Sequence, residues 1–199
     1  MTNFLAQSGI GNRIHAIRKQ HGIRSAKDLA DLIPGNNVTE SILQNIEAGR
    51  KHDLSVSQLL NIAKALRVTP IFLLTPIARP WAELDIANLS SSFDGMTVVE
   101  FDAWISGAEH GAYHWSTNDE RTERTQLQAM RELHAQIRER KRLTTNLEIE
   151  RTLDAQAGEI ATAQEWDTTE ERLAESARRI AQLTSYLASA GWDLDGWMD

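Results

Sequence analysis

Four times between residues 10 and 75, apolar side chains recur at helical spacing and a turn signal then cuts the run short. Ile10, Ile14 and Ile17 make the first run, which Gly22 stops. Leu29, Ala30 and Ile33 make the second, with Ser25 ahead of it as a cap and the turn Pro34 to Asn37 behind it. Val38, Leu43 and Ile46 make the third, opened by Thr39 and closed by Gly49. Leu59, Leu60, Ile62, Ala63 and Leu66 make the fourth, opened by Ser55 with Gln58 three residues on, the pattern of a capping box. Apolar residues at i, i+3 and i+4 mark one helix face, and a side-chain oxygen before the first turn satisfies an orphan backbone N–H. Helices this short are marginal alone, so they must pack on one another around a shared core. Thr69-Pro70 adds a fifth start, cap then proline, and Phe72 to Leu74 are placed to close that core.

The third run has a distinctive outer side. Its apolar residues leave Glu40, Ser41, Gln44 and Asn45 on the opposite face, and Arg50 and Lys51 follow Gly49. A short helix with an apolar back, a small polar front and cations past its end suits the major groove of DNA. Those residues taken alone also describe an ordinary amphipathic helix in a bundle.

Charge is divided unevenly along the chain. Residues 1–76 carry nine Lys and Arg against five Asp and Glu, a balance of +4. Residues 77–199 carry twelve against twenty-three, a balance of -11, and the two sum to the chain's -7. A basic head is drawn to phosphate, whereas an acidic body is repelled by it and left free for other contacts.

With these runs in order, residues 10–75 resemble the phage-repressor (Cro/C1, or XRE) helix-turn-helix family. The resemblance is carried by IHAIRKQHG, KDLADLI, VTESILQNIEAGRK and SQLLNIAKALRV. It implies a buried ion pair between Arg18 and Glu47, and base contacts from Glu40, Ser41, Gln44 and Asn45. Thr39 is then placed near phosphate or a thymine methyl. Gln44 and Asn45 each offer a paired donor and acceptor to adenine, and Glu40 either accepts from cytosine N4 or favours the helix N-terminus through the dipole. Phosphate contacts are expected from Arg24, Ser25, Lys27, Thr39, Arg50 and Lys51. Three departures from the family stand out: a longer turn before the third helix, Ala26 where many members have glutamine, and Arg67 where glycine is usual.

Beyond residue 76 the pattern changes. Residues 77–115 read as a connector, with Pro80, a serine run and the turn Phe93-Asp94-Gly95, and Trp81, Leu84, Ile86 and Leu89 available to pin it. Thr97 and Glu100 open a short helix in which Val98, Phe101, Trp104 and Ile105 make the apolar side, ending at Gly107. VVEFDAWISG resembles the middle segments of actinobacterial and actinophage members of the same family. From Thr117, with Glu120 as capping partner, Leu127, Met130, Leu133 and Ile137 start a long face that Leu143, Leu147 and Leu153 continue, interrupted near Gly158. Thr168 and Glu171 are expected to cap a further helix, whose Leu173, Ala177, Ile180, Thr184 and Leu187 step by four, three, four and three, a heptad seam. Two helices joined through AQEWD form either an antiparallel hairpin or a coiled coil between protomers, and Leu173, Ala177, Ile180 and Leu187 are the expected association residues. The tail GWDLDGWMD either docks by its tryptophans or binds a partner.

Several function classes find no support. The chain has no cysteine, which removes disulfides, thiolate metal sites and cysteine catalysis. No glycine-rich phosphate loop, nucleophile elbow or carboxylate pair in a pocket-forming context occurs, so no catalytic residue, enzyme activity or cofactor is expected. His110 and His114 are four apart beside Glu109, but Gly107 and Gly111 argue against a helix there and no third ligand is evident, so no metal is expected. RERKR at Arg138 to Arg142 reads as a solvated helix face. The apolar stretch Val68 to Ala78 is broken by Pro70 and Pro76 and too short to span a bilayer, and no signal peptide is read at the start.

The expectation is therefore an all-α protein. Residues 1–76 form a five-helix helix-turn-helix domain, 77–115 a connector with a short helix, and 116–199 a helical hairpin or coiled coil with an acidic aromatic tail. Expected partners are double-stranded DNA and a second copy of the chain, in the cytoplasm on the nucleoid, with no membrane. The expected activity is sequence-specific transcription regulation by a repressor, in a phage or prophage setting by resemblance. The rival is an antitoxin-like module whose acidic C-terminal region binds a protein partner.

Overall fold

A computed structural model describes residues 7–108, 110–157 and 163–197, and within these it is all-helical with no strand. It divides into two compact units, Met1–Tyr113 and His114–Asp199. No described helix is long and apolar enough to cross a membrane.

The first unit holds α1 (Ile10–Gln20), α2 (Ala26–Asp31), α3 (Glu40–Glu47), α4 (Val56–Leu66), α5 (Pro70–Leu74) and α6 (Val98–Ser106). The caps read from the sequence form. Ser55 and Gln58 close a reciprocal box at α4, Thr97 and Glu100 close one at α6, and Thr39 Oγ1 accepts from the Ile42 amide at 3.3 Å. Ser25 does more than cap α2, because Asp28 returns the bond and completes a further box. α4 ends on Arg67 in the left-handed region, φ 55 and ψ 39. For a residue with a Cβ that conformation costs about 1–2 kcal/mol, the consequence of lacking glycine there. Ile14, Ile17, Leu29, Leu43, Ile46, Ile62, Leu66 and Leu73 are buried in one core to which all five of the first helices contribute.

The connector folds with this unit and corrects the boundary expected at residue 76. Its anchor is Arg13, a charged residue on α1 with no exposure. Its guanidinium donates from Nε to the Leu73 carbonyl at 2.8 Å, from Nη2 to the Leu74 carbonyl at 2.7 Å, and from Nη1 to the Gln7 carbonyl at 2.9 Å. Nη1 and Nη2 also donate to the two carboxylate oxygens of Asp85, at 2.7 and 2.9 Å. A guanidinium has five N–H donors, and all are matched. The same Asp85 accepts from the Gly9 amide at 2.6 Å, so a connector residue caps α1, whose own cap position has no side chain to offer. Beyond it the strap doubles back through one antiparallel bridge, Glu83 with Thr97, and the Val98 amide donates to the Ala82 carbonyl at 2.9 Å. The pinning is thus polar. Trp81 is 79% exposed and Leu89 is also at the surface, while Leu84 and Ile86 are half-buried.

The second unit is a hairpin of α7 (Asn118–Ala157) and α8 (Ala163–Ser189). Cross-helix partners fall on α8 as they rise on α7, which makes the pair antiparallel. Arg179 Nη2 donates to Glu132 at 2.7 Å, Ser176 Oγ to the Gln136 side chain at 3.1 Å, and Arg172 Nη2 to Glu139 at 3.1 Å. Ala129 and Leu133 pack against Ile180, Leu183 and Leu187. The seam therefore packs within the chain: Ile180 and Leu187 are buried against α7, and Leu173 and Ala177 are half-buried on the same helix. Leu143 and Leu147 are buried as well. Thr117 and Glu120 do cap α7. Two expectations at the far end need correcting. α8 begins at Ala163, so AQEWD is its first turn rather than a joint, and Thr168 lies inside the helix rather than at its cap. Glu109, Gly158 and the Leu153 side chain lie outside the described residues. The tail docks by its tryptophans: Trp192 Nε1 donates to Gln126 at 2.9 Å, and Trp197 stacks on His134 at 6.0 Å.

Two stability changes follow. Asp85→Ala leaves a buried guanidinium without its carboxylate and is expected to destabilise the first unit by about 2–3 kcal/mol. That is below the usual cost of breaking a buried pair because Asp85 keeps 26% of its side chain in water. Urea denaturation of residues 1–113 with and without the change measures it, and truncation at residue 76 is expected to lose at least as much. In the hairpin, Ile180→Asp places a charge in a site 3% exposed and is expected to cost about 3–5 kcal/mol. Exposed Gln182→Asp is expected to leave the helical melting temperature within a few degrees.

Candidate nucleic-acid interface

The outer face of α3 exists because its inner face is held at three points. Leu43 and Ile46 are buried in the core, which turns Glu40, Ser41 and Gln44 outward, all exposed, with Asn45 half-buried at the margin. Arg18 on α1 grips the last residue of α3: its Nε donates to Glu47 Oε1 at 2.7 Å and its Nη2 to Oε2 at 2.6 Å. Both side chains are nearly buried, at 4% and 10% exposure. Arg18 Nη1 also donates to the Ile23 carbonyl at 3.0 Å, so one guanidinium ties α3 to the turn that follows α1. The ion pair expected from the resemblance is thus present in the geometry.

The third point was not legible in the sequence. Gly11 on α1 lies where a Cβ would stand 2.1 Å from the Ile46 carbonyl oxygen. The backbones of α1 and α3 meet there, and a side chain would push the outward face away from its seat. Only a glycine in the first turn of a helix hinted at this.

The long turn between α2 and α3 is fastened rather than loose. Gln58 Nε2 on α4 donates to the Asn37 carbonyl at 3.1 Å, and Asn37 Nδ2 donates to Ser57 Oγ at 2.9 Å. The end of the turn at Asn37 is thereby pinned to the start of α4, and Gln58 serves both its own cap and this contact.

The polar front is pre-paired. Gln44 Nε2 donates to Glu40 Oε1 at 2.9 Å, and Arg50 Nε donates to Asn45 Oδ1 at 2.9 Å. Asn45 also accepts through its carbonyl from the Arg50 and Lys51 amides, at 2.9 and 3.0 Å, which folds the two cations back beside the helix end. Gln44 and Asn45 each keep part of their amide for an outside partner. Arg24, Lys27 and Arg50 are exposed and Lys51 is half-buried. The Ser25 hydroxyl accepts from the Asp28 amide at 3.0 Å and Thr39 from Ile42, and both keep their O–H to donate outward. His110 and His114 fall outside any helix.

Comparison with known protein families, with curated proteins and with solved structures finds no match for this chain.

The clamp on α3 titrates. Burial alone would raise the Glu47 carboxyl, but hydrogen bonds from Arg18 and contact with His15, whose Nδ1 lies 2.7 Å away, hold it below its ordinary value of 4.5. The Arg18 guanidinium is raised in turn, chiefly by its hydrogen bond to Glu47. Since the folded carboxyl ionises at lower pH than the unfolded one, the pair's stabilisation is fully present above 4.5. It is lost on acidification, until the folded carboxyl itself is protonated. Urea midpoints of residues 1–113, measured between about pH 6 and about pH 3, are expected to fall more steeply with acid than those of Glu47→Gln. The variant is also expected to be less stable at neutral pH, because Arg18 keeps its burial and loses its partner.

Proposed function

We propose that this chain is a sequence-specific DNA-binding transcription regulator, a repressor that covers an operator and blocks polymerase. The observation that carries this reading is α3. It is a helix whose polar front of Glu40, Ser41, Gln44 and Asn45 faces out because Leu43, Ile46 and the Arg18–Glu47 clamp fix its back. Adenine and cytosine edges are the complement of such a front in the major groove. Arg24, Lys27, Arg50 and Lys51, with the hydroxyls of Ser25 and Thr39, supply the donors that phosphate contacts need. One helix this short reaches about half of an operator, so two copies on a palindrome are part of the proposal. The heptad residues pack inside the hairpin, and self-association accordingly draws on another surface.

Sequencing the DNA retained by the purified full-length chain tests the reading: one enriched motif, palindromic for a dimer, is expected, and retention without enrichment overturns it. With the operator in hand, Gln44→Ala and Asn45→Ala are expected to relax sequence choice, each by about 1–3 kcal/mol of discrimination. Lys51→Ala is expected to weaken operator and random DNA alike, because a phosphate contact carries no base information. Titrations of both DNAs measure this, and a Lys51→Ala loss confined to the operator contradicts the assignment.

A further inference from the structure

A cavity of about 320 Å3 opens in the first unit, lined by the start of α1 (residues 9–12), the end of α3, the loop at residues 51–54 and the strap at residues 85–87. The volume lies at the low end of the roughly 300–1,000 Å3 typical of small-molecule sites. Its apolar lining includes Ile10, Ile46, Leu54, Leu59, Leu74 and Ile86. Its charged lining is unequal. All three carboxylates are already engaged: Glu47 by Arg18, Asp85 by Arg13, and Asp53 by the Asn88 side chain at 2.7 Å. The one lysine in the lining, Lys51, has no side-chain partner among the described residues.

A cavity whose carboxylates all accept hydrogen bonds and whose lysine has no partner complements a negative ligand with an apolar body. We propose that it binds a small organic carboxylate, with Lys51 as the partner of the carboxylate. A consequence rests on the DNA reading. Lys51 is also a phosphate contact there, so a carboxylate seated on it withdraws that cation from DNA and lowers affinity for all sequences.

1-Naphthoate, an anion on an apolar two-ring body, is the probe, titrated into the isotope-labelled full-length chain without DNA and followed by amide NMR. Saturable shifts are expected at Gly11, Gly49 and Ala87, with Gly191 and Gly196 in the second unit unmoved. Lys51→Gln is expected to weaken binding about tenfold, and naphthalenemethanol, the uncharged body, to bind about tenfold more weakly than the acid, as loss of a charge-assisted contact implies. Ala87→Trp, which fills the cavity from the strap, is expected to abolish the shifts. Shifts that are absent, unsaturable or spread to Gly191 and Gly196 overturn the site, and equal binding of acid and alcohol overturns its preference for an anion. In a second arm, naphthoate is expected to weaken DNA binding of the intact chain and not of Lys51→Gln. Saturable shifts with unchanged DNA affinity overturn the coupling, and saturable shifts in a chain that binds no DNA overturn the DNA reading while leaving the site in place.

Discussion

A guanidinium with no exposure can exist in this small unit only because every one of its N–H groups is met. Arg13 reaches the last carbonyls of α5, the backbone ahead of α1 and a carboxylate from a segment more than seventy residues away in sequence. Each partner solves a problem of its own. The α5 carbonyls are the orphan acceptors of a helix end, and Asp85 also serves the amide that opens α1. Burying the charge is tolerable because it closes several unsatisfied termini at once, whereas an unpaired charge there would cost several kcal/mol. α1, α5 and the strap are fixed together by this arrangement, and α1 in turn seats α3.

The orientation of α3 depends on α1 twice, through contacts of opposite character. Arg18 pulls on Glu47 with two short charge-assisted hydrogen bonds, while Gly11 permits the backbones to approach. Attraction without room would leave the helix tilted, and room without attraction would leave it free to slide. Together they hold a polar face steady. Under the proposed DNA-binding role that steadiness matters, because a contact to two atoms of one base tolerates little displacement.

The hairpin solves a different problem. Its outer faces are charged, and its salt bridges lie at the surface, where each contributes about 0–1 kcal/mol. Its stability rests on the narrow seam of Leu133, Ile180, Leu183 and Leu187, and on the tryptophans of the tail folding back over α7. The heptad that marks this seam is the same whether the partner helix belongs to the chain or to a second copy. An antiparallel partner tethered by a few residues has a far higher effective concentration than a free one.

Much was legible because it is local. Caps such as Ser55 with Gln58 and Thr97 with Glu100, the periodicity of Leu43 and Ile46, and the outward set Glu40, Ser41, Gln44 and Asn45 depend on neighbours within a turn or two. The family resemblance supplied Arg18 with Glu47, which spacing alone does not yield. Long-range pairings were not legible. Nothing local distinguishes Arg13 from a solvated arginine, or Asp85 from a polar residue in a proline-rich connector, and so local signals alone place a boundary at residue 76. Gly11 looked like any glycine near a helix start, and the start of α8 was hidden because propensity carries a helix past a possible cap at Thr168. The sequence by itself determined, apart from the start of α8, which segments are helical and which faces are polar, since those follow from the 3.6-residue repeat and from backbone groups that must be satisfied nearby. Only the tertiary structure decided that the strap belongs to the first unit, that α3 is seated on a glycine, and that the heptad closes within one chain. Those outcomes depend on which distant groups meet when the core is buried.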